Sequence, residues 1–148
     1  MSDPVILTVE RDFAAPATRV FDAWLDPADA ARFLFATPDG EMIRCDVDPR
    51  VGGGFTLTER RSTGDAEHRG RYVEIERPHR LVFLFAAGSA GDGEWTRVTI
   101  QIAEAPGGCT VTLTHEMDPQ WAAYEDQTRK GWMTILESLA RILENANG

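Results

Sequence analysis

The C-terminal stretch constrains this chain more than any other. Trp121, Tyr124, Thr128, Trp132, Ile135, Leu136, Leu139, Ile142 and Leu143 fall on one helical face, and the positions between them are mostly polar or charged. Asp118-Pro119, just ahead, has the form of an N-cap followed by proline at the first helical position. The spacing predicts a helix of about 25 residues, ~38 Å long, with a break near Glu125. A helix with one apolar stripe must lay that stripe across a second apolar surface. The rest of the chain has to supply it.

That surface reads as a sheet. Val5 to Glu10 alternates, with Val5, Leu7 and Val9 on one face. Pro16 opens a short helix carrying Val20, Phe21 and Trp24, and Asp26-Pro27 opens a second that ends on Phe33-Leu34. Pro38-Asp39-Gly40 is a turn. Alternation then resumes through Ile43, Cys45 and Val47, through Phe55 and Leu57, and through Arg69–Glu76, Leu81–Phe85, Trp95–Ala103 and Cys109–Met117. Turn chemistry separates these runs at Ser62-Thr63-Gly64-Asp65, Arg77-Pro78-His79, Gly88 to Gly93 and Pro106-Gly107-Gly108. The expected class is α+β, one domain over residues 1–148. A curved seven-stranded antiparallel sheet would wrap the long C-terminal helix, and the two short helices between strands 1 and 2 would close one end. A curved sheet under a helix with bulky side chains leaves an internal cavity, the usual form of a small-molecule site.

Composition narrows the function. A chain of 148 residues, 43% of them hydrophobic, builds a core without staples. With 24 acidic against 15 basic residues the formal charge is −9, a poor match to phosphate backbones or anionic membranes. Nucleic acid and membrane are therefore not expected partners. The acidity is uneven: residues 41–97 hold nine Arg and ten acidic residues, so most of the excess lies in the flanking helical segments. Of the basic residues only Lys130 is not Arg, which fits G+C-rich coding or planar anion forks. Cys45 and Cys109 are too isolated for a CxxC motif and are expected as buried free thiols. No basic-then-apolar leader is visible and no apolar run spans a bilayer. The expected location is the cytoplasm.

Three stretches carry a resemblance to a known family: Phe13-Ala14-Ala15-Pro16-Ala17-Thr18-Arg19-Val20-Phe21-Asp22-Ala23-Trp24 with Asp26-Pro27; Asp48-Pro49-Arg50-Val51-Gly52-Gly53-Gly54-Phe55; and Leu113-Thr114-His115-Glu116 with Gly131-Trp132 and Leu136-Leu139. With the order of elements they resemble the START-like (SRPBCC) helix-grip superfamily. Within it they are most similar to the homologues of the activator of heat-shock-protein-90 ATPase, over about residues 5–144. The resemblance implies the helix-grip fold and a ligand cavity. It implies less about chaperone work, for which the namesake uses a separate N-terminal domain without counterpart in these residues. Phe33 stands where the family usually carries Trp.

His115 is the foremost titratable candidate. It shares a strand face with Cys109, Val111 and Leu113, so it should project beneath Trp132. It reads either as a satisfied core histidine or as a ligand-orienting or acid/base group. His68 and His79 lie beside turns and are expected in solvent, so no metal site is expected, and no cofactor. Trp24, Phe33, Phe55, Phe83, Val111, Leu113, His115, Trp132 and Leu136 are the expected ligand contacts. Gly52-Gly53-Gly54 precedes a strand rather than a helix, so it reads as a bend that curls the sheet and not a phosphate loop. Arg60, Arg61, Arg69 and Arg71 flank one hairpin with Glu59 and Glu67, and cross-strand salt bridges are expected there. Glu59 alternates inward with Phe55 and Leu57. Gly131 is expected to allow a close approach to the helix. No Ser-His-Asp, Cys-His or HExxH arrangement exists. The leading expectation is a binder of a small hydrophobic or aromatic molecule rather than an enzyme. The alternatives are a polyketide cyclase/dehydratase-like enzyme and a chaperone-associated interaction module. A homodimer is compatible with either.

Overall fold

The computed structural model describes residues 4–34, 40–62, 64–87, 95–117 and 119–145. Alternation becomes strands throughout: β1 (Val5–Phe13), β2 (Glu41–Val47), β3 (Gly54–Arg61), β4 (Gly64–Glu76), β5 (Arg80–Ala87), β6 (Thr96–Ala105) and β7 (Gly108–Met117). They form one antiparallel sheet in the order β1-β7-β6-β5-β4-β3-β2. Two short helices, α1 (Ala17–Leu25) and α2 (Pro27–Phe33), join β1 to β2, and the long α3 (Glu125–Asn145) ends the chain. This is the expected α+β helix-grip architecture.

The two ends of α2 show how local chemistry sets boundaries. Asp26 Oδ1 accepts from the backbone N–H of Ala28 at 2.8 Å and of Asp29 at 3.3 Å, satisfying two orphan donors just past Pro27. α1 is tied to the β4–β5 turn by a bidentate pair, Arg77 Nε and Nη2 to the Asp22 carboxylate at 2.7 and 2.8 Å. The Arg77 hydrogen bond, opposed in part by burial, holds the Asp22 carboxyl below its ordinary range. α3 has 21 residues, ~32 Å. It starts where the pattern placed a break, and Pro119–Tyr124 before it is a 3-10 segment rather than part of the helix. The predicted cap, Asp118, lies outside the described residues, as do residues 38–39 and 63 of the predicted turns and the 88–93 loop.

Register puts one continuous apolar face on the concave side. Leu7 and Val98 both pair with His115, Val9 and Ile100 with Leu113, Phe83 with Val98, and Tyr72 with Phe83. Trp132, Ile135, Leu136, Leu139 and Leu143 of α3 are buried against that face. Two local readings change. The pairing of β2 with β3 shifts between Met42 and Arg44, so Ile43 is an extra residue and turns outward, 41% exposed. Met42, Cys45 and Val47 are the ones that pack on the core. The glycine triplet is the turn of the β2–β3 hairpin, not a curl within a strand. Gly52 takes φ +90°, and any side chain at Gly54 would collide with the Gly70 carbonyl of β4.

Candidate ligand site on the concave face

His115 is 3% exposed, and both of its ring nitrogens are occupied. Trp132 Nε1–H donates to Nδ1 at 3.0 Å. Indole nitrogen is a donor only, so Nδ1 must be the acceptor and the proton must sit on Nε2. Nε2–H then donates to Thr96 Oγ1 at 2.8 Å, which leaves the Thr96 hydroxyl proton for the Phe85 carbonyl at 3.3 Å. One chain of three hydrogen bonds thus links α3, β7, β6 and β5. Burial pushes the imidazole down to about 4, so it is neutral near pH 7.

Around this chain lies a ring cluster. Phe85 meets His115 at 6.0 Å and Trp132 at 6.1 Å, both edge-on, and His68 is stacked against Phe85 at 5.9 Å with 9° between planes. His68 is the main correction to the sequence reading. β4 begins at Gly64 rather than Arg69, so His68 is well inside the strand and on the inward face with Tyr72. It is half-buried, and burial, with the nearby Arg61 charge, lowers its pKa to about 4. Glu59 is also inside, 2% exposed, with Arg61 Nε donating to its Oε1 at 2.6 Å. Arg61 joins Glu59 on its own strand, while the guanidinium groups of Arg69 and Arg71 lie over Trp95, 5.3 and 5.9 Å from its ring.

The expected contacts divide. His115 and Trp132 meet as the alternation implied. Trp24 packs edge-on to Phe33 at 5.1 Å and Phe55 to Phe83 at 5.3 Å. Trp24, Phe33, Phe55, Phe83, Val111, Leu113 and Leu136 are each at most 4% exposed, in the packed core. In the ring cluster around His115, His68 and Phe85 are the rings that keep accessible surface. Sequence reasoning left both out of the contact set, although period two along β4 places His68 with Tyr72. Gly131 is exposed, and a Cβ there would meet nothing within 4 Å, so the expected close approach is absent. Cys109 is buried and Cys45 half-buried, donating to the Pro27 carbonyl at 3.2 Å; both are free. Among the described residues no three His, Cys, Asp or Glu side chains are grouped to hold a metal. No helix among them is long and apolar enough to cross a membrane.

A curved sheet closed over one helix, with a histidine and a tryptophan bonded across the interior, defines a START-like helix-grip domain. More narrowly, the chain belongs to the activator of Hsp90 ATPase homolog 1-like family, whose model matches residues 14–144. A crystal structure of a Chromobacterium violaceum protein is similar at 26% identity and a TM-score of 0.82, over 95% of this chain and 99% of that one. The solution structure of an AHSA1-like protein from Aeromonas hydrophila is similar at 27% identity and 0.82, over 97% and 94%. DynU16, a protein in the dynemicin biosynthetic locus, shares the fold at 18% identity and 0.78, over 99% of this chain and 49% of its own. No curated protein matches the sequence.

Proposed function

We propose that the protein binds a small, mostly apolar molecule between the concave sheet and α3, admitted beside His68 and Phe85. The observation that carries this reading is that these two rings face inward yet are only partly covered, whereas the apolar side chains around them are sealed. An aromatic surface kept partly open beside a few placed polar groups suits a ligand that is largely hydrophobic or aromatic. Glu59, Arg61 and His68 supply the polar edge, and His115, held by Trp132 and Thr96, fixes the wall. The two free thiols suit the reducing cytoplasm.

Native mass spectrometry of the full chain purified from its source tests this directly. The expected result is a retained molecule of a few hundred daltons. It should be lost in Ala66→Phe, which places a ring beside Glu59 on the His68 face. A bare wild-type mass, together with no thermal stabilisation by any apolar probe, would sink the reading.

The likeness to DynU16 favours one second reading, cyclase- or dehydratase-like chemistry on a polyketide-type substrate. His68, partly exposed beside Glu59 and Arg61, would then move the proton, and His115, bonded to Trp132 and Thr96, would hold the wall. His68→Ala should abolish such turnover while His115→Gln leaves part of it. An interaction module would need a continuous apolar patch. The large apolar side chains exposed among the described residues, Ile6, Ile43, Val51 and Tyr124, come from four separate segments.

A further inference from the structure

Among the described residues two buried donors of the core have no partner: Trp24 Nε1 and Tyr72 Oη. Each residue is 2% exposed. A buried N–H or O–H without an acceptor forfeits its hydration with no return, and folded cores leave few of them unexplained. Tyr72 faces inward from β4 opposite Phe83, its ring 6.0 Å from Phe55. Phe55 lies over Gly70, where any side chain would collide with its ring. It therefore stands between His68 and Tyr72 along β4, separating the partly open end from the unpartnered hydroxyl. Trp24 reaches the interior from α1, against Phe33.

We infer that the molecule held in this interior carries neutral hydrogen-bond acceptors, such as carbonyl or ether oxygens, that receive the Tyr72 hydroxyl and the Trp24 indole N–H. This rests on the binding reading above and narrows it to one ligand chemistry. A carboxylate or phosphate does not fit the place. Both donors are uncharged, and the charge acting on the Tyr72 hydroxyl near neutral pH, that of Asp48, is of the anionic sign. Burial, with that charge beside it, pushes the phenol far above its usual range, so it remains a donor. The donor atoms themselves are sealed from solvent. Phe55 must swing off Gly70 for an acceptor to arrive, so the closed packing relaxes when a matching ligand enters. A site with committed donors discriminates between ligands by leaving those donors unpaired with the wrong one.

The test uses three naphthalenes with the full-length protein in titration calorimetry. 2-Acetonaphthone offers a neutral acceptor, 2-isopropenylnaphthalene has the same shape without it, and 2-naphthoate is an anion. The ketone should bind about fivefold to tenfold more tightly than the alkene, the value of one net hydrogen bond. Tyr72→Phe should erase most of that preference, leave alkene affinity unchanged and not lower the ligand-free Tm. Trp24→Phe checks the second donor in the same way. Equal affinity for ketone and alkene in the wild type, tightest binding of the naphthoate, or a preference that survives both substitutions would overturn the inference while leaving interior binding intact. A lower ligand-free Tm in Tyr72→Phe would also overturn it, because the hydroxyl would then already have a partner. If none of the three binds, interior binding falls as well.

Discussion

The tautomer of His115 follows from a single asymmetry: indole can donate and cannot accept. With Nδ1 facing Trp132 Nε1–H, a second proton on the ring would point at another donor. Burial then lowers the imidazole pKa from 6.5 to about 4. Between those values the unfolded chain takes up a proton that native His115 does not, so stability falls as pH drops through the window and is flat above it. The contribution is roughly 3 kcal/mol at most, and His68 acts in the same direction. Denaturant melts should lose stability from pH 7 to pH 4.5, and His115→Gln should flatten that slope. Trp132→Phe frees Nδ1, and the His115 ring resonances should titrate at higher pH in an NMR series. Alternation along β7 made the inward position of His115 legible. Thr96 was not legible as its partner, because a cross-strand hydroxyl carries no sequence signal.

At the scale of elements, the sequence was most informative where one periodicity ran unbroken, as in β7 and α3. It was least so where a strand slipped. The bulge at Ile43 reverses which residues face the core, and nothing in Glu41-Met42-Ile43-Arg44 announces it, because the shift answers to pairing with β3. His68 was misplaced for a related reason: a turn nearby in sequence suggested exposure, while the strand had already begun. Helix positions give cleaner predictions. Gly131 is exposed with open space around it, so Gly131→Ala should raise stability by about 1 kcal/mol in chemical denaturation. Had the glycine been needed for a close approach, the sign would reverse. Asp26→Ala removes the α2 cap and should cost about 1 kcal/mol by the same measurement. Arg77→Ala breaks only a largely exposed pair, Asp22 being 46% exposed and Arg77 55%, and should leave the denaturation midpoint nearly unchanged, because solvent screens such pairs.

For the whole molecule, the helix grip was readable because a long one-striped helix and a meander of alternating strands have one economical arrangement. The interior was less readable, since whether an aromatic side chain seals the core or is left partly open depends on how the loops close over it. Phe83 and Phe85 are two residues apart on one strand face, and the first is sealed while the second is not. The pairing of β1 with β7 has a kinetic consequence. Val5 lies opposite Met117 and Phe13 opposite Cys109, so among the described strands β1 has its one sheet neighbour about a hundred residues further on. Such high contact order slows folding relative to helical domains of equal size. On the ribosome the hairpins from β2 to β6 can assemble as they emerge, while β1 waits for β7. Stopped-flow refolding should accordingly show sheet closure, reported by a probe on β1, as the slow step, and a truncation ending before β7 should leave β1 open to protease. The strand synthesised first is among the last to be secured.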